Sequence, residues 1–374
     1  MAKTNMEVKR MNRNTIFRYI LKKDIVSKLD IAEALHLSVP TVAQGLMDLE
    51  EKGLVTEEGV FDSTGGRKAK RYSCIKAAKT ALGVDITANH INIVMVDLAE
   101  QSIISVRKKF KIFYDNDTSY TVLKDEIEKV IYDSGVAYDS ILGMGISLPA
   151  IIDKSGEVIY ASYEKMKIDA DFHHILSGHF SFPILLTNDA NSGGRAEANL
   201  LEDVDDVIYF SLSQTVGGSI MINRQLFYGQ NQRGGEFGHM TLMADGPACY
   251  CGRKGCVDIY CSSAILSDET EGNLELFFKK VEEGEDKYVR IWDGYLDNLA
   301  IAVHNLYMVF DSDIIIGGYV GIHIGKYLED LKERVKKIDT HVKNADFIRA
   351  SKLKYEAPAI GAASIFIEEF RKQI

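Results

Sequence analysis

A short cluster of cysteines and one histidine constrains the fold of this 374-residue chain more than any other feature. Three of the five cysteines, Cys249, Cys251 and Cys256, lie within eight positions, and His239 precedes the first of them. One imidazole and three thiolates form the closed tetrahedral ligand set of a structural zinc ion, and glycines inside the loop permit the tight turns that this requires. The alternatives are unpaired structural cysteines or a disulfide. The sequence therefore predicts a zinc-braced loop whose metal has no open position for activating water.

Length and composition indicate a soluble protein with more than one domain. The chain is 46% hydrophobic and 26% charged, which is typical of globular proteins, and its length suggests two or three domains. We find no apolar run of the roughly 18 residues that a membrane-spanning helix needs, and the first residues lack the apolar stretch of a signal peptide. We therefore expect a cytoplasmic protein without a membrane partner, whose thiols stay reduced and free to hold a metal.

The charge is distributed unevenly between the start of the chain and the rest. The net charge of −10 argues against a protein that coats nucleic acid. Residues 1–75, however, hold 13 Lys and Arg against 10 Asp and Glu, a balance of +3, while the remainder holds 31 against 44, a balance of −13. This distribution fits a small nucleic-acid-binding unit attached to an acidic body.

Residues 1–75 predict a winged helix-turn-helix domain. Apolar residues at helical spacing around Phe17 predict a first helix. Ser27, with an acidic residue three positions later, predicts the start of a second helix, and Ser38 predicts the start of a third. We expect two short strands after the third helix, with the second strand near Val60 and Phe61.

The third helix is expected to enter the major groove of DNA by its N-terminal end. The residues expected to contact bases or phosphates are Ser38, Thr41, Gln44, Arg67 and Lys68. The alternatives are a helical bundle that binds nothing and a solvated basic linker. His36 stands where this turn usually has a glycine, although histidine adopts left-handed backbone less readily than glycine does.

Residues 76–374 repeat one order of secondary structure. Three strands, a helix and a buried strand ending near Pro149 are followed, after residue 205, by the same β-β-β-α-β order. Two such halves facing a cleft make up the duplicated actin-like, ribonuclease-H-like α/β architecture. We therefore expect halves at 76–200 and 201–374, with the zinc loop in the second.

Several motifs of the body resemble the ROK family of repressors, open reading frames and sugar kinases. They are Asn188-Asp189-Ala190-Asn191, Gly235-Glu236-Phe237-Gly238-His239 and the Cys-x-Cys-Gly-x-x-Gly-Cys loop with Asp258. The head also resembles the winged-helix arm of the family's repressors, so the resemblance spans nearly the whole chain.

The resemblance implies a monosaccharide bound in the cleft. The implied sugar ligands are Asn188, Asp189, Glu236, His239 and Asp258. Carboxylates and amides suit vicinal hydroxyls because they make charge-assisted or bidentate hydrogen bonds. The family usually has Glu at position 258, so the shorter aspartate implies a bridging water or a different sugar. For residues 188–191 the alternative is a turn that caps the next helix, which is compatible with ligand contact.

The resemblance leaves a choice between a kinase and a repressor. The family's kinases use the counterpart of Asp189 as general base, and this residue is present. Their phosphate loops, however, are glycine-rich, whereas residues 85–89 and 213–219 carry side chains at most of those positions. We therefore expect a regulator and not an enzyme. Two alternatives remain, a sugar kinase and a regulator controlled by a phosphotransferase protein.

The resemblance also implies the partners of such a regulator. These are operator DNA and a monosaccharide effector, with the protein acting as a homodimer or a dimer of dimers on a pseudo-palindromic site.

Overall fold

The computed structural model describes residues 4–61, 69–110, 117–153, 158–161, 172–201, 204–339 and 341–374. At the N-terminal end, helices pack against a small antiparallel sheet with the strand order β1-β3-β2. We call the described residues between 4 and 74 the head. Its helices are α1 (Asn5–Lys23), α2 (Lys28–Ala34) and α3 (Val39–Glu51). Its strands are β1 (Ile25–Ser27), β2 (Val55–Val60) and β3 (Lys70–Cys74).

The helix signals of the head lie where the sequence predicts them. Ser27 and Asp30 exchange side-chain and backbone hydrogen bonds of 3.2 and 2.8 Å, which forms a capping box at the start of α2. The Ser38 hydroxyl caps α3 by accepting the Thr41 N–H at 3.3 Å. His36 has φ 52°, so it takes the left-handed conformation that the turn between the two helices requires.

One expectation about the wing was wrong. Val60 does not begin a second strand, because it is the last residue of β2, which carries an irregularity between Glu57 and Val60. The strand that pairs with β2 is β3, and it contains the basic residues Lys70 and Arg71.

The body contains two five-stranded sheets with matching topology in the described part of the chain. The first sheet consists of β4 (Thr80–Ile86), β5 (His90–Val96), β6 (Ser102–Lys109), β7 (Ile141–Leu148) and β10 (Ile184–Asn188). The second sheet consists of β11 (Val207–Leu212), β12 (Val216–Ile222), β13 (Gln225–Leu226), β14 (Asp313–Gly317) and β15 (Ile348–Ala350).

The strand order shows that the two sheets have equivalent topology around their first strand. The orders are β10-β7-β4-β5-β6 and β13-β12-β11-β14-β15, so in each sheet the first strand pairs antiparallel with the second and parallel with the fourth. A smaller pair, β8 (Ala150–Ile152) and β9 (Val158–Ala161), follows β7. The predicted mixed α/β architecture is confirmed.

Helices cover both sheets. They are α4 (Asp117–Ser134), α5 (Phe172–Ser177), α6 (Asp189–Asn199), α7 (Asp258–Cys261), α8 (Ser263–Ser267), α9 (Leu274–Glu282), α10 (Asp286–Phe310), α11 (Gly318–Ile324), α12 (Leu328–Ile338) and α13 (Ala357–Gln373). Short 3-10 turns lie at Lys76–Ala78, Tyr138–Ser140, Phe237–His239, Asp268–Thr270, Gly325–Tyr327 and Lys354–Glu356. Among the described helices, none is both long and apolar enough to cross a bilayer.

The last helix, α13, returns from the second sheet and packs on the first. A Cβ atom added to Gly83 of β4 would lie 1.8 Å from the carbonyl oxygen of Ala359, and one added to Gly361 would lie 1.7 Å from that of Ser192 in α6. The backbone of α13 therefore lies directly against β4 and α6, which only glycine permits. Apolar residues of α13 share one buried cluster with Phe17 of the head.

Candidate ligand and metal site

A cavity of about 490 Å³ opens between the two sheets. This volume is within the range of small-molecule sites. Its wall has contributions from both halves of the body, namely Pro149, Ile151, Ile152, Asp153, Leu185, Leu186, Thr187, Asn188, Asp189, Ala190, Asn191, Ser211, Thr215, Val216, Gly217, Gly218, Tyr228, Gln232, Gly234, Gly235, Glu236, His239, Tyr250 and Ile365. Asn188, Asp189, Glu236 and His239, which the sequence predicted as ligand contacts, are all on this wall.

The wall from the first half is built on the start of α6. Asn188 is the N-cap, and its Oδ1 accepts the Asn191 N–H at 2.9 Å while its Nδ2 donates to the Ala150 carbonyl at 3.1 Å. Asp189 Oδ1 accepts the Ala190 N–H at 2.9 Å and the Asn188 amide at 3.1 Å. Capping and ligand exposure therefore coexist at these residues, because the cap fixes the side chains at the cavity edge.

Burial and neighbouring charge make Asp189 unusual among carboxylates. Burial, followed by the charge of Asp85, raises the pKa of Asp189 to about 7, and the charge of Glu236 acts in the same direction. Burial also raises the pKa of Asp85 to about 6, although this carboxylate accepts hydrogen bonds from Ser147 at 2.9 Å and Asn92 at 3.0 Å. Near neutral pH, Asp189 can thus both accept and donate a hydrogen bond.

The opposite wall is held by close backbone contacts. Gly235 has φ 90°, and a Cβ there would lie 2.3 Å from the Gly218 carbonyl oxygen, so the turn requires glycine. The turn presents the Glu236 carboxylate to the cavity, and partial burial raises its pKa. His239 ends the following 3-10 turn, where its ring lies at the boundary between the cavity and the cysteine loop.

The cysteine loop brings its predicted ligands together. The ligand atoms of His239, Cys249, Cys251 and Cys256 all lie within 4.8 Å of one another. The Cys251 and Cys256 sulfurs are 3.7 Å apart, and Cys249 Sγ is 3.9 Å from His239 Nδ1. A tetrahedral zinc ion with Zn–S bonds of about 2.3 Å holds its sulfurs roughly 3.7 Å apart. The donor set and its spacing therefore fit a structural zinc ion.

Asp258 is not on the cavity wall. It is the first residue of α7, it is 5% exposed, and its carboxylate accepts the Val216 N–H at 2.5 Å. Burial raises its pKa to about 6. Asp258 therefore positions the backbone of Val216, which itself lines the cavity, and its expected contact with a sugar stays a prediction.

Some residues of the cavity wall were not predicted from the sequence. Tyr228, Gln232 and Tyr250 line the cavity but belong to loops without helical or strand periodicity. The one available signal was the position of Tyr250 between two candidate metal ligands, Cys249 and Cys251, because a residue there must lie where the cysteine loop places it.

A second cavity lies between the loops at residues 85–89 and 213–219, which the sequence resemblance compares with the phosphate loops of kinases. Its volume is about 70 Å³, and it borders on Asp85, Thr87, Ser213 and Tyr319. It is also lined by Tyr355, whose ring centroid is 3.5 Å from the guanidinium carbon of Arg107. A cavity of this size is several-fold smaller than typical small-molecule sites of about 300 Å³ or more.

The predicted DNA contacts lie together at the start of α3. Ser38 and Gln44 are exposed, and Thr41 is partly exposed. The Gln44 amide donates to Asp48 Oδ1 at 2.8 Å. Arg67 and Lys68 lie outside the described residues, so their expected role stays a prediction.

Comparison with known proteins places these features in one family. The model of the ROK family matches residues 81–369. The chain is 26% identical over 382 residues to a xylose repressor of Bacillus subtilis, covering 98% of this chain and 97% of that protein. It is 24% identical over 322 residues to the Escherichia coli transcriptional dual regulator NagC, covering 85% of this chain and 76% of that protein.

Solved structures share the fold. A ROK family transcriptional regulator, described as a homologue of the E. coli MLC protein, matches with a TM-score of 0.73 and 16% identity over 98% of this chain and 97% of that one. A ROK hexokinase from Thermus thermophilus matches with a TM-score of 0.63 and 23% identity over 78% of this chain and 99% of that one.

Proposed function

The chain belongs to the ROK family, and from this premise we propose that it is a sugar-responsive transcriptional repressor. The observation that carries the proposal is the share of the chain that is similar to a known repressor. The family match begins at residue 81, yet the similarity to the xylose repressor covers 98% of the chain and so includes most of the head. A repressor needs a DNA-binding unit besides the sensor, and the head supplies a separate unit of suitable size.

We assign the head as a winged helix-turn-helix domain. Two capped helices joined at His36 precede a β2–β3 hairpin, which is the order of a helix-turn-helix followed by a wing. The exposed start of α3 carries Ser38, Thr41 and Gln44, and polar side chains at this end of a recognition helix reach base edges and phosphates. On a pseudo-palindromic operator, two heads of a homodimer would bind half-sites about one helical turn, or a multiple of it, apart.

The larger cavity is the proposed effector site. Asn188, Asp189, Glu236 and His239 supply donors and acceptors from opposite walls, which suits the hydroxyls of a monosaccharide. The similarity to proteins named for xylose and N-acetylglucosamine makes these two sugars the first candidates. A ligand that touches both halves binds one closure of the cleft better than another and thereby shifts the population of the two states.

The four-ligand cluster is the proposed zinc site. When bound, the ion supplies a rigid crosslink among His239 and the three cysteines. His239 also lines the cavity, so its ring orientation is set by its place in the ligand set.

Sugar phosphorylation is the less favoured function. Asp189 could act as general base, and this retained residue is what favours a kinase. However, the cavity between the two candidate phosphate loops measures about 70 Å³, and the rings of Tyr319 and Tyr355 are part of its wall. A nucleotide would have to displace both rings and the Arg107 contact of Tyr355.

A continuous set of contacts connects the effector site with the head. Asp189 is the first residue of α6, and Arg195 in the same helix forms a 2.7 Å salt bridge with Glu368 of α13. The end of α13 is held by α1, since Arg13 donates to the Ile374 carbonyl and Asn14 donates to the Arg371 carbonyl.

The same arginine reaches the recognition helix. Arg13 pairs with Asp48 of α3 at 3.2 Å, and Asp48 in turn accepts the Gln44 amide. Movement of α6 on sugar binding can therefore reposition α3 through α13 and α1.

DNA selection and sugar titration test the proposal. Bound sequences are first selected from random duplexes, and their affinity is then measured by fluorescence anisotropy with and without d-xylose, d-glucose and N-acetyl-d-glucosamine at fixed salt. We expect one sugar to change DNA affinity by at least about fivefold. Two matched variants separate the sites. Gln44→Ala should lose DNA binding and keep sugar binding, whereas Asp189→Asn should lose sugar binding and keep DNA binding.

Two outcomes would reject the proposal. One is the absence of any selected DNA sequence. The other is DNA affinity that no sugar changes; a phosphotransferase protein that does change it would then support the alternative regulator. A coupled ATPase assay with the same sugars tests the kinase, and robust sugar-dependent turnover would favour it.

A further inference from the structure

Two tyrosine rings line the larger cavity, and one of them belongs to the cysteine loop. They are Tyr228 and Tyr250. Tyr250 stands between the ligands Cys249 and Cys251, and 53% of its surface is exposed. Its ring centroid is 5.4 Å from that of His239, with the planes at 71°, so the edge of one ring packs on the face of the other.

The backbone around Tyr250 is fixed on both sides. The Cys249 N–H donates to the Arg253 carbonyl at 2.7 Å, and the Gly252 N–H donates to the Cys249 carbonyl at 2.9 Å. The thiols before and after Tyr250 both belong to the four-ligand cluster. A half-exposed ring held this firmly costs little additional entropy when a ligand packs on it.

The polar residues of the cavity leave part of a sugar without a partner. A monosaccharide ring has hydroxyls around its rim and an apolar C–H face. Asn188, Asp189, Glu236 and His239 offer hydrogen bonds to the rim. A hydrophobic contact for the C–H face needs a flat apolar surface, which an exposed aromatic ring provides.

We infer that Tyr250 packs its ring against the C–H face of the bound monosaccharide and thereby contributes to sugar affinity and selection. The inference rests on the proposed function, because it takes the larger cavity as the sugar site. It assigns the cysteine loop a direct part in recognition, since the loop carries the contacting side chain as well as bracing His239. Tyr228 is less suited because it lies in the loop after β13, where neither neighbouring residue belongs to the four-ligand cluster that would hold the loop in place.

Isothermal titration calorimetry on the zinc-containing full chain tests the inference. The probes are d-xylose, d-glucose and N-acetyl-d-glucosamine, and the proteins are wild type, Tyr250→Phe, Tyr250→Leu and Tyr250→Ala. For the sugar that binds wild type, we expect Tyr250→Phe to stay within about twofold. Tyr250→Ala should bind about tenfold more weakly, which corresponds to ~1.4 kcal/mol. Tyr250→Leu should lie between them because it keeps apolar volume without a flat ring.

Metal analysis and melting temperature separate a binding defect from a folding defect. Each variant is measured for zinc per chain and for melting temperature without sugar. If Tyr250→Ala loses zinc, the comparison between Tyr250→Phe and Tyr250→Leu decides, since both keep a bulky side chain in the loop.

The possible failures are distinguishable. If no probe binds wild type, the proposed sugar site fails and the inference fails with it. If a probe binds wild type and the zinc-loaded Ala and Leu variants equally well, the sugar site stands and the role of Tyr250 is overturned. If Tyr250→Phe is as weak as Tyr250→Ala, the hydroxyl carries the contact and ring packing is overturned.

Discussion

Replacing Asp189 with asparagine should stabilise the sugar-free protein above neutral pH while weakening sugar binding. Burial and the nearby Asp85 carboxylate raise the pKa of Asp189 from its ordinary value of 3.8 to about 7. In the unfolded chain Asp189 loses its proton near pH 4, whereas the folded chain keeps it until about pH 7. Between these values the folded state binds more protons, so this residue's contribution to stability falls as pH rises through that window.

The size of the effect follows from the same shift. Moving a carboxyl pKa from 3.8 to about 7 corresponds to roughly 4 kcal/mol of penalty for the ionised form. Since Asp189 lies on the wall of a cavity open to water, we expect ~1–3 kcal/mol in practice. Asparagine is nearly isosteric, and it keeps the oxygen that accepts the Ala190 N–H and the Asn188 amide. The substitution therefore removes the charge with little change in packing.

Thermal unfolding from pH 5 to pH 8.5, with and without sugar, measures the prediction. The gain for Asp189→Asn should be roughly a third of its full size at pH 5, grow as pH rises to about 7, and reach about 2–6 °C at pH 8. The sugar-induced rise in melting temperature should shrink because a ligand stabilises in proportion to its affinity. Leu200→Ala, at an exposed position beyond the end of α6, is a suitable control with no expected pH dependence. An Asp189→Asn protein that is less stable than wild type at pH 8 but binds sugar normally would refute the reasoning.

Three further predictions follow from other parts of the molecule. Metal analysis should find about one zinc per chain, and Cys251→Ser should lower the melting temperature and abolish the sugar response, whereas a fully folded metal-free protein would contradict the zinc assignment. Thr41→Ala should weaken binding to the selected DNA and leave calorimetric sugar affinity unchanged, and the exposed Glu50→Ala at the far end of α3 is its matched control. Arg195→Ala breaks the 2.7 Å contact between α6 and α13 and should lower the coupling between sugar and DNA by ~0.5–2 kcal/mol, while each ligand's affinity measured alone changes by less than twofold. Equal sugar effects on DNA affinity in Arg195→Ala and wild type would remove this salt bridge from the coupling route.

The elements that sequence predicted well are those specified by local chemistry. The caps at Ser27 and Ser38 depend on residues within three positions, so the starts of α2 and α3 could be placed from the chain alone. The metal cluster was also predictable because its three cysteines are close in sequence, and their spacing restricts how far the sulfurs can separate. The repeated strand order was visible because each half repeats the same succession of elements.

The features that sequence missed depend on contacts between distant segments. The wing was placed wrongly because the partner of β2 is fixed by pairing with residues 70–74, across residues 62–68, and Val60 alone carries no signal of this. The sequence also carried no signal of the hydrogen bond from the Val216 N–H to the Asp258 carboxylate, because the two residues are 42 positions apart. The small cavity beside Asp85 is lined in part by Tyr319 and Tyr355, which are more than 200 positions further along the chain.

The placement of α13 explains how a sugar site in the body could control a head built from other residues. The backbone of α13 lies directly against Gly83 of the first sheet and Ser192 of α6, so movement of α6 against α13 would require packed groups to rearrange. Because protein interiors are close-packed, packed elements switch between distinct arrangements and do not shift continuously. At its other end, α13 terminates in Ile374, which is 2% exposed and lies in the cluster that contains Phe17 of α1. If sugar favours one position of α6 and DNA favours the other, each ligand lowers the affinity for the other. By thermodynamic reciprocity, DNA weakens sugar binding by the same factor by which sugar weakens DNA binding.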